Sequence, residues 1–212
     1  MKNVDVYWSF RSPYSYLATP GMVALQEDYK VQVNLRVVYP IAVRAPELLF
    51  TPQNANRTFY IITDWARRAE FLGMPGVWPS PDPIVQDLTT MEIAKEQPYI
   101  YRLSGLGVEA QRRGKGVQFA AEVASLIFGG TSGWDQGDHL ALATQRAGLD
   151  LAEMDASLEG GDQLQEVDAN QAQLEAVNGW GVPSFVFEGE LFFGQDRIET
   201  LRWRLDQHDL RV

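Results

Sequence analysis

Ser12 and Pro13 stand directly after Val4 to Phe10, a loosely alternating run of branched and aromatic residues that suits a strand. Serine is a favoured helix N-cap and proline a favoured first helical residue. A helix is therefore expected to open here and run through Leu17 and Val23 to about Tyr29, weakened but not ended by Gly21. Such a junction sets a hydroxyl beside unpaired amide N–H groups and the positive end of a helix dipole, a seat that suits an anion. For a thiol it is the environment that lowers the pKa. The 212-residue chain contains no cysteine, so a thiolate at this seat must come with a ligand, and Ser12 can donate its hydroxyl hydrogen to that sulfur.

Two more groups of residues suit the same chemistry. Pro183 opens a short apolar run, where a cis Val182-Pro183 bond would leave the Val182 backbone free to pair with an extended peptide as an added strand does; a proline at a strand edge is the plainer reading. Asp196 and Glu199 have capping-box spacing, so Asp196 is expected to cap the last helix while its charge remains able to hold an ammonium group.

The elements that must position these residues follow from periodicity. Val31, Val33, Leu35 and Val37 alternate with Gln32, Asn34 and Arg36, a strand with one buried face and far enough from the first for a parallel crossover. Phe59, Ile62, Trp65, Ala66, Ala69 and Leu72 recur at helical spacing before Gly73, and a loop with Pro75, Pro79, Pro81 and Pro83 comes next. Further helical stripes are Phe119, Val123, Leu126 and Ile127, then Leu140 to Ala147, then Leu164, Val167, Leu174 and Val177. Ser184 to Phe187 and Leu191 to Phe193 flank a turn at Glu188-Gly189, a hairpin signal. The order is β-α-β, helices, β-β-α. It predicts an α/β, thioredoxin-like fold formed by residues 1–54 and 179–212, with a large inserted all-helical domain at 55–178.

Composition narrows the function. A net charge of −10 without a basic stripe argues against nucleic acid as a partner. No signal pattern and no apolar run near membrane-spanning length is visible, so no membrane partner and a cytoplasmic location are expected. His139 and His208 are in no metal spacing, and no metal site is expected. Gly105, Gly107 and Ala110 match a dinucleotide fingerprint only superficially, because no clean parallel-strand unit precedes them and Gly114 and Gly116 interrupt the helix that such a fingerprint needs.

Three ordered segments carry a family resemblance. The stretch from Phe10 to Ala18, including Arg11, Ser12, Pro13 and Tyr14, resembles the first active-site segment of 2-hydroxychromene-2-carboxylate isomerases and kappa-class glutathione transferases. Gly181-Val182-Pro183-Ser184-Phe185-Val186 and Phe193-Gly194-Gln195-Asp196-Arg197 resemble their later ligand-binding segments. The resemblance implies a DsbA-like thioredoxin fold, glutathione as cofactor, a small aromatic substrate and a homodimer. It assigns Ser12 to the glutathione sulfur, where the fold's redox members carry a cysteine. Val182 and Pro183 would meet the cysteinyl backbone, and Gln195 with Asp196 the γ-glutamyl group. The chain departs from the family at Pro46 to Phe50, where an asparagine is usual; Asn54 or Asn56 could replace it, and Arg57 stands for a family lysine. The implied reaction is cis/trans isomerisation by reversible thiolate addition. Tyr14, Trp78, Trp180 and Phe193 are candidates for an apolar pocket, with Arg11, Arg44 or Arg57 meeting a carboxylate. A kappa-like transferase that consumes glutathione, or a thiol-free peptide-binding module, remain the other readings.

Overall fold

The two alternating segments near the start of the chain pair in parallel. In the computed structural model, which describes every residue except Leu88, β1 (Lys2–Trp8) runs beside β2 (Val31–Val37) in register from Lys2–Val31 to Trp8–Val37. The crossover between them is α1 (Pro13–Asp28). Pro20 lies inside α1 and cannot donate to the Tyr16 carbonyl, but the Thr19 hydroxyl donates to that oxygen at 2.8 Å, so the missing backbone bond leaves no buried acceptor empty. Gly21 lets α1 approach the C-terminal helix: a Cβ there would stand 2.6 Å from Ile198 Cδ1.

The expected hairpin forms as β3 (Ser184–Phe187) and β4 (Glu190–Phe193), with β3 antiparallel to β1 and the sheet order β2-β1-β3-β4. Both central turn residues, Glu188 and Gly189, have positive φ (53° and 83°), as a tight turn matched to strand twist requires. Between β2 and β3 come α2 (Ile41–Arg44), α3 (Ala55–Leu72), α4 (Pro98–Arg112), α5 (Gly116–Phe128), α6 (His139–Arg146), α7 (Leu151–Leu158) and α8 (Gln163–Ala176), and α9 (Ile198–Asp206) closes the chain. This is a thioredoxin core with a helical insertion. Helices α4, α5 and α8 pack on β2, and α5 also packs on α1, so one buried apolar cluster runs from the sheet into the helices. At its centre Phe10 meets Trp8 and Phe119 edge to face, at 6.1 and 5.8 Å.

Three differences from the sequence reading have plain causes. Helix α4 is absent from the periodicity reading, in which Gly105 and Gly107 figure only as a superficial dinucleotide fingerprint; a Cβ at Gly107 would stand 2.7 Å from Phe10 and 2.8 Å from Val37, so this glycine serves close packing inside a helix. The expected apolar face of α3 is only partly buried: Trp65 and Ala69 are inside, whereas Phe59, Ile62 and Leu72 are exposed. Asp196 caps no helix. Gly194, at φ 112°, turns the chain into a short 3-10 segment (Gln195–Arg197), Arg197 occupies the position before α9, and the Asp196 carboxylate pairs with Arg197 at 2.9 Å. No helix among the described residues is long and apolar enough to cross a membrane.

Candidate functional site

The corner between β1 and α1 has the predicted geometry. Ser12 is extended (φ −85°, ψ 114°); its Oγ accepts the Ser15 amide at 3.1 Å and donates to the Val182 carbonyl at 3.4 Å. Pro13 comes next as first helical residue, and the first turn holds no acidic side chain to offset its positive end. The Val182-Pro183 bond is cis, not the plainer strand-edge case. Its loop is held by the hairpin, with Gly194 N–H donating to the Pro183 carbonyl at 2.9 Å and Ser184 Oγ to the Gly181 carbonyl at 2.7 Å.

Two cavities meet at this corner. The first, of about 290 Å³, is lined by Ser12, Pro13, Tyr14, Tyr39, Trp180, Val182 and Phe193 among others, with Arg11, Arg44 and Arg57 and no acidic residue. Trp180 and Phe193 stand 4.6 Å apart, both partly exposed. Burial pushes the Tyr39 phenol up to about 12. Burial also lowers the Arg44 guanidinium pKa from its ordinary value; one of its nitrogens donates to the Trp180 carbonyl, while its Nε is buried with no hydrogen-bond partner among the described residues. Arg57 donates to the Leu48 carbonyl at 3.2 Å.

The second cavity, of about 340 Å³, has Tyr14, Val182 and Phe193 in common with the first and adds Asp64, Arg68, Pro183, Gln195 and Asp196. The Tyr14 hydroxyl donates to Asp64 at 2.8 Å, and burial with that carboxylate raises the phenol pKa above its ordinary value. Arg68 Nε donates to Gln195 Oε1 at 3.3 Å. Charges of both signs therefore face one recess, which suits a zwitterion, whereas the first cavity offers apolar walls and cations only.

The structure thus gathers Ser12, Pro13, Tyr14, Arg57, Trp180, Val182, Pro183, Gln195 and Asp196 around the two cavities. Arg11 lines the first, but its charge is already engaged: Nε and Nη2 reach Asp82 at 3.2 and 3.1 Å, and its guanidinium lies 5.1 Å over the Trp78 ring. Trp78 lines neither cavity; it donates to Asp82 at 3.3 Å and packs edge to face on Trp65. Asn54 turns to its own loop, bonding the Glu47 carbonyl at 3.0 Å, and neither it nor Asn56 lines a cavity. Asp64 and Arg68 escaped the sequence reading. With Arg57 and Ile61 they occupy one face of α3 at spacings of four, three and four, a signal masked by the apolar stripe beside it.

The DSBA-like thioredoxin domain family matches residues 3–206. The chain belongs to this family. The match runs from within β1 to the end of α9. This DSBA-like domain is 25% identical over 207 residues to a 2-hydroxychromene-2-carboxylate isomerase of Pseudomonas putida, covering 93% of this chain and 91% of that one. Among solved structures it resembles a 2-hydroxychromene-2-carboxylate isomerase with a TM-score of 0.68 and 20% identity, over 97% of this chain and 95% of the other. It also resembles DsbM of Pseudomonas aeruginosa, described as a cytosolic disulfide reductase and solved with GSH, with a TM-score of 0.58 and 15% identity over 96% and 99% of the two chains.

Proposed function

We propose that the protein is a glutathione-dependent cis/trans isomerase of the 2-hydroxychromene-2-carboxylate type, acting on an intermediate of aromatic degradation. One observation carries this reading: a recess of mixed charge and an apolar recess lined by arginines and no acidic residue adjoin across Tyr14, Val182 and Phe193, beside the Ser12 hydroxyl. The donor set of the second cavity fits glutathione, with Asp64 and Asp196 opposite its ammonium, Arg68 and Gln195 opposite its α-carboxylate, and the Val182 backbone beside its cysteinyl unit. The chemistry that glutathione would supply here is a thiolate nucleophile for reversible addition to a conjugated double bond. Ser12 and the α1 N-terminus would hold the sulfur as an anion, Trp180 and Phe193 would wall the apolar recess, and Arg44 or Arg57 would meet a substrate carboxylate.

Glutathione titration of the chain, followed by turnover of 2-hydroxychromene-2-carboxylate with glutathione counted before and after, tests the reading. Isomer formed with glutathione conserved supports it. Glutathione consumed against an electrophile points to the transferase instead, and no binding at millimolar glutathione leaves the peptide-binding module.

Asp196→Asn gives a sharper test, because Asp196 caps no helix and its pairing with Arg197 is exposed. Glutathione affinity is expected to fall by about tenfold or more with the melting temperature unchanged, as calorimetry and a thermal melt would read. Equal affinity would remove Asp196 from the site.

A homodimer belongs to the same proposal. Phe59 and Ile62, three residues apart on α3, are 70% and 48% exposed, an apolar surface that a second copy would cover. Phe59→Glu is then expected to sediment as a monomer where the parent sediments as a dimer. A cytoplasmic location is part of this reading as well, since that compartment maintains a reducing glutathione pool.

A further inference from the structure

Tyr14 is the second residue of α1 and lines both cavities. A phenylalanine ring would serve as wall equally well. What the hydroxyl adds is one bond, donated to Asp64 Oδ2 at 2.8 Å, which joins α1 to α3 across 50 positions of sequence. A phenol has a single O–H, so while this bond stands Tyr14 has no hydrogen left for a ligand. Burial first, and then the bond to Asp64, raises the phenol pKa above its ordinary value, so the hydroxyl remains a donor throughout the neutral range.

The carboxylate at the other end of this bond is the more enclosed of the two in the second cavity. Asp196 is 49% exposed and already meets Arg197 at 2.9 Å. Asp64 is 24% exposed, so a ligand in the cavity reaches it while its charge is less screened by water. Its only salt-bridge partner among the described residues, Arg67, is 69% exposed and stands 3.6 Å from Oδ1, too far for a hydrogen bond. With Oδ2 taken by Tyr14, the lone pairs of Oδ1 are the ones left for a donor. The terminal torsion of an aspartate is broad and two-fold, and one charge-assisted bond narrows it.

We propose that Tyr14 is a positioning residue: its hydroxyl holds Asp64 turned so that Oδ1 receives the α-ammonium of the bound thiol, and the chain thereby selects thiols that carry a free α-amino group. The inference rests on the second cavity being the glutathione site, and it adds which protein group orients the anion there. Tyr14 acts through Asp64 and gives its hydrogen to no ligand atom. Its ring is also a wall of the first cavity, so the group that orients the ammonium acceptor stands between the two recesses.

The test is calorimetric titration of the full chain with glutathione and with glutaryl-cysteinyl-glycine, which lacks only the α-amino group. The parent is expected to bind glutathione about tenfold more tightly than the analogue. Tyr14→Phe keeps the ring and is expected to weaken glutathione by about three- to tenfold while leaving the affinity for the analogue as it was. Asp64→Asn, which preserves shape, is expected to abolish the preference. Tyr14→Phe in that background is expected to change neither affinity, because the hydroxyl acts only through the carboxylate. Equal weakening of both ligands by Tyr14→Phe would mark the hydroxyl as structural and overturn the proposal, and so would an additive loss in the double variant. A parent that binds neither thiol fails the glutathione reading and the proposal together. A parent that prefers glutathione, with the full preference kept in Tyr14→Phe, fails the proposal alone.

Discussion

Replacing Ser12 with alanine is expected to raise the pKa of the bound glutathione thiol by about one to two pH units and to slow turnover at neutral pH by about ten- to a hundredfold. The Ser12 hydroxyl stands at the first turn of α1 and reaches the Val182 carbonyl at 3.4 Å, a bond long enough for the hydrogen to turn towards a sulfur beside it. Losing one hydrogen bond to an anion costs about 1.5 to 3 kcal/mol, which sets the size of the effect. Its sign is fixed by the thiolate form, which loses a donor: a higher pH is needed to reach the same ionised fraction, and activity returns as pH rises. The fold persists, since loss of the cap to the Ser15 amide costs only about 1 kcal/mol. Thiolate absorbance of the bound tripeptide against pH, with parent and variant side by side, measures this. Superimposable curves would leave Ser12 as a helix cap alone.

Phe10→Ala has the largest expected effect on stability, about 3 to 5 kcal/mol. Phe10 is 1% exposed, stacks edge to face on Trp8 and Phe119, and fills the space left by the absent side chain of Gly107. Its removal empties the junction of β1, α4 and α5 two residues before Ser12, where a strand and a helix leave little room for collapse. Urea unfolding should show a lower midpoint with an unchanged slope, because the surface exposed on unfolding hardly differs. Gly107→Ala approaches the same contact from the other side and is expected to cost about 1 to 3 kcal/mol through overcrowding. A Phe10→Ala loss below about 1 kcal/mol would mean that the junction repacks.

Where chemistry was local, it was legible in the sequence. Strand alternation in Val31–Val37, the Ser12-Pro13 helix start and the turn at Glu188-Gly189 each depend on neighbours a few residues away, and each stands in the structure as read. Features that depend on distant partners were not legible. Arg11 read as a free cation because Asp82 is 71 positions away. Gly107 read only as part of a superficial dinucleotide fingerprint, because Phe10 and Val37, against which it packs, lie far off in the chain. Asp64 and Arg68 looked like ordinary polar positions on a helix, and only tertiary structure brings them to Tyr14 and Gln195. Asp196 satisfied a local pattern and still failed to cap, because the positive φ of Gly194 shifts the start of α9.

The pairing of Arg11 with Asp82 has a consequence for how the site opens. Asp82 also accepts the Ile84 amide and the Trp78 indole, while its neighbour Pro81 accepts from Trp134 and Ser80 accepts from Gly133. The segment around Asp82 is thus anchored on one side to the residue preceding Ser12 and on the other to the start of the α6 region. Local unfolding proceeds in cooperative units defined by such contacts. The Ser12 corner therefore cannot fray by itself: freeing it means detaching Arg11 from a strap with several other attachments. The helix terminus proposed to hold the anion is kept assembled by a loop that contributes no side chain to either cavity.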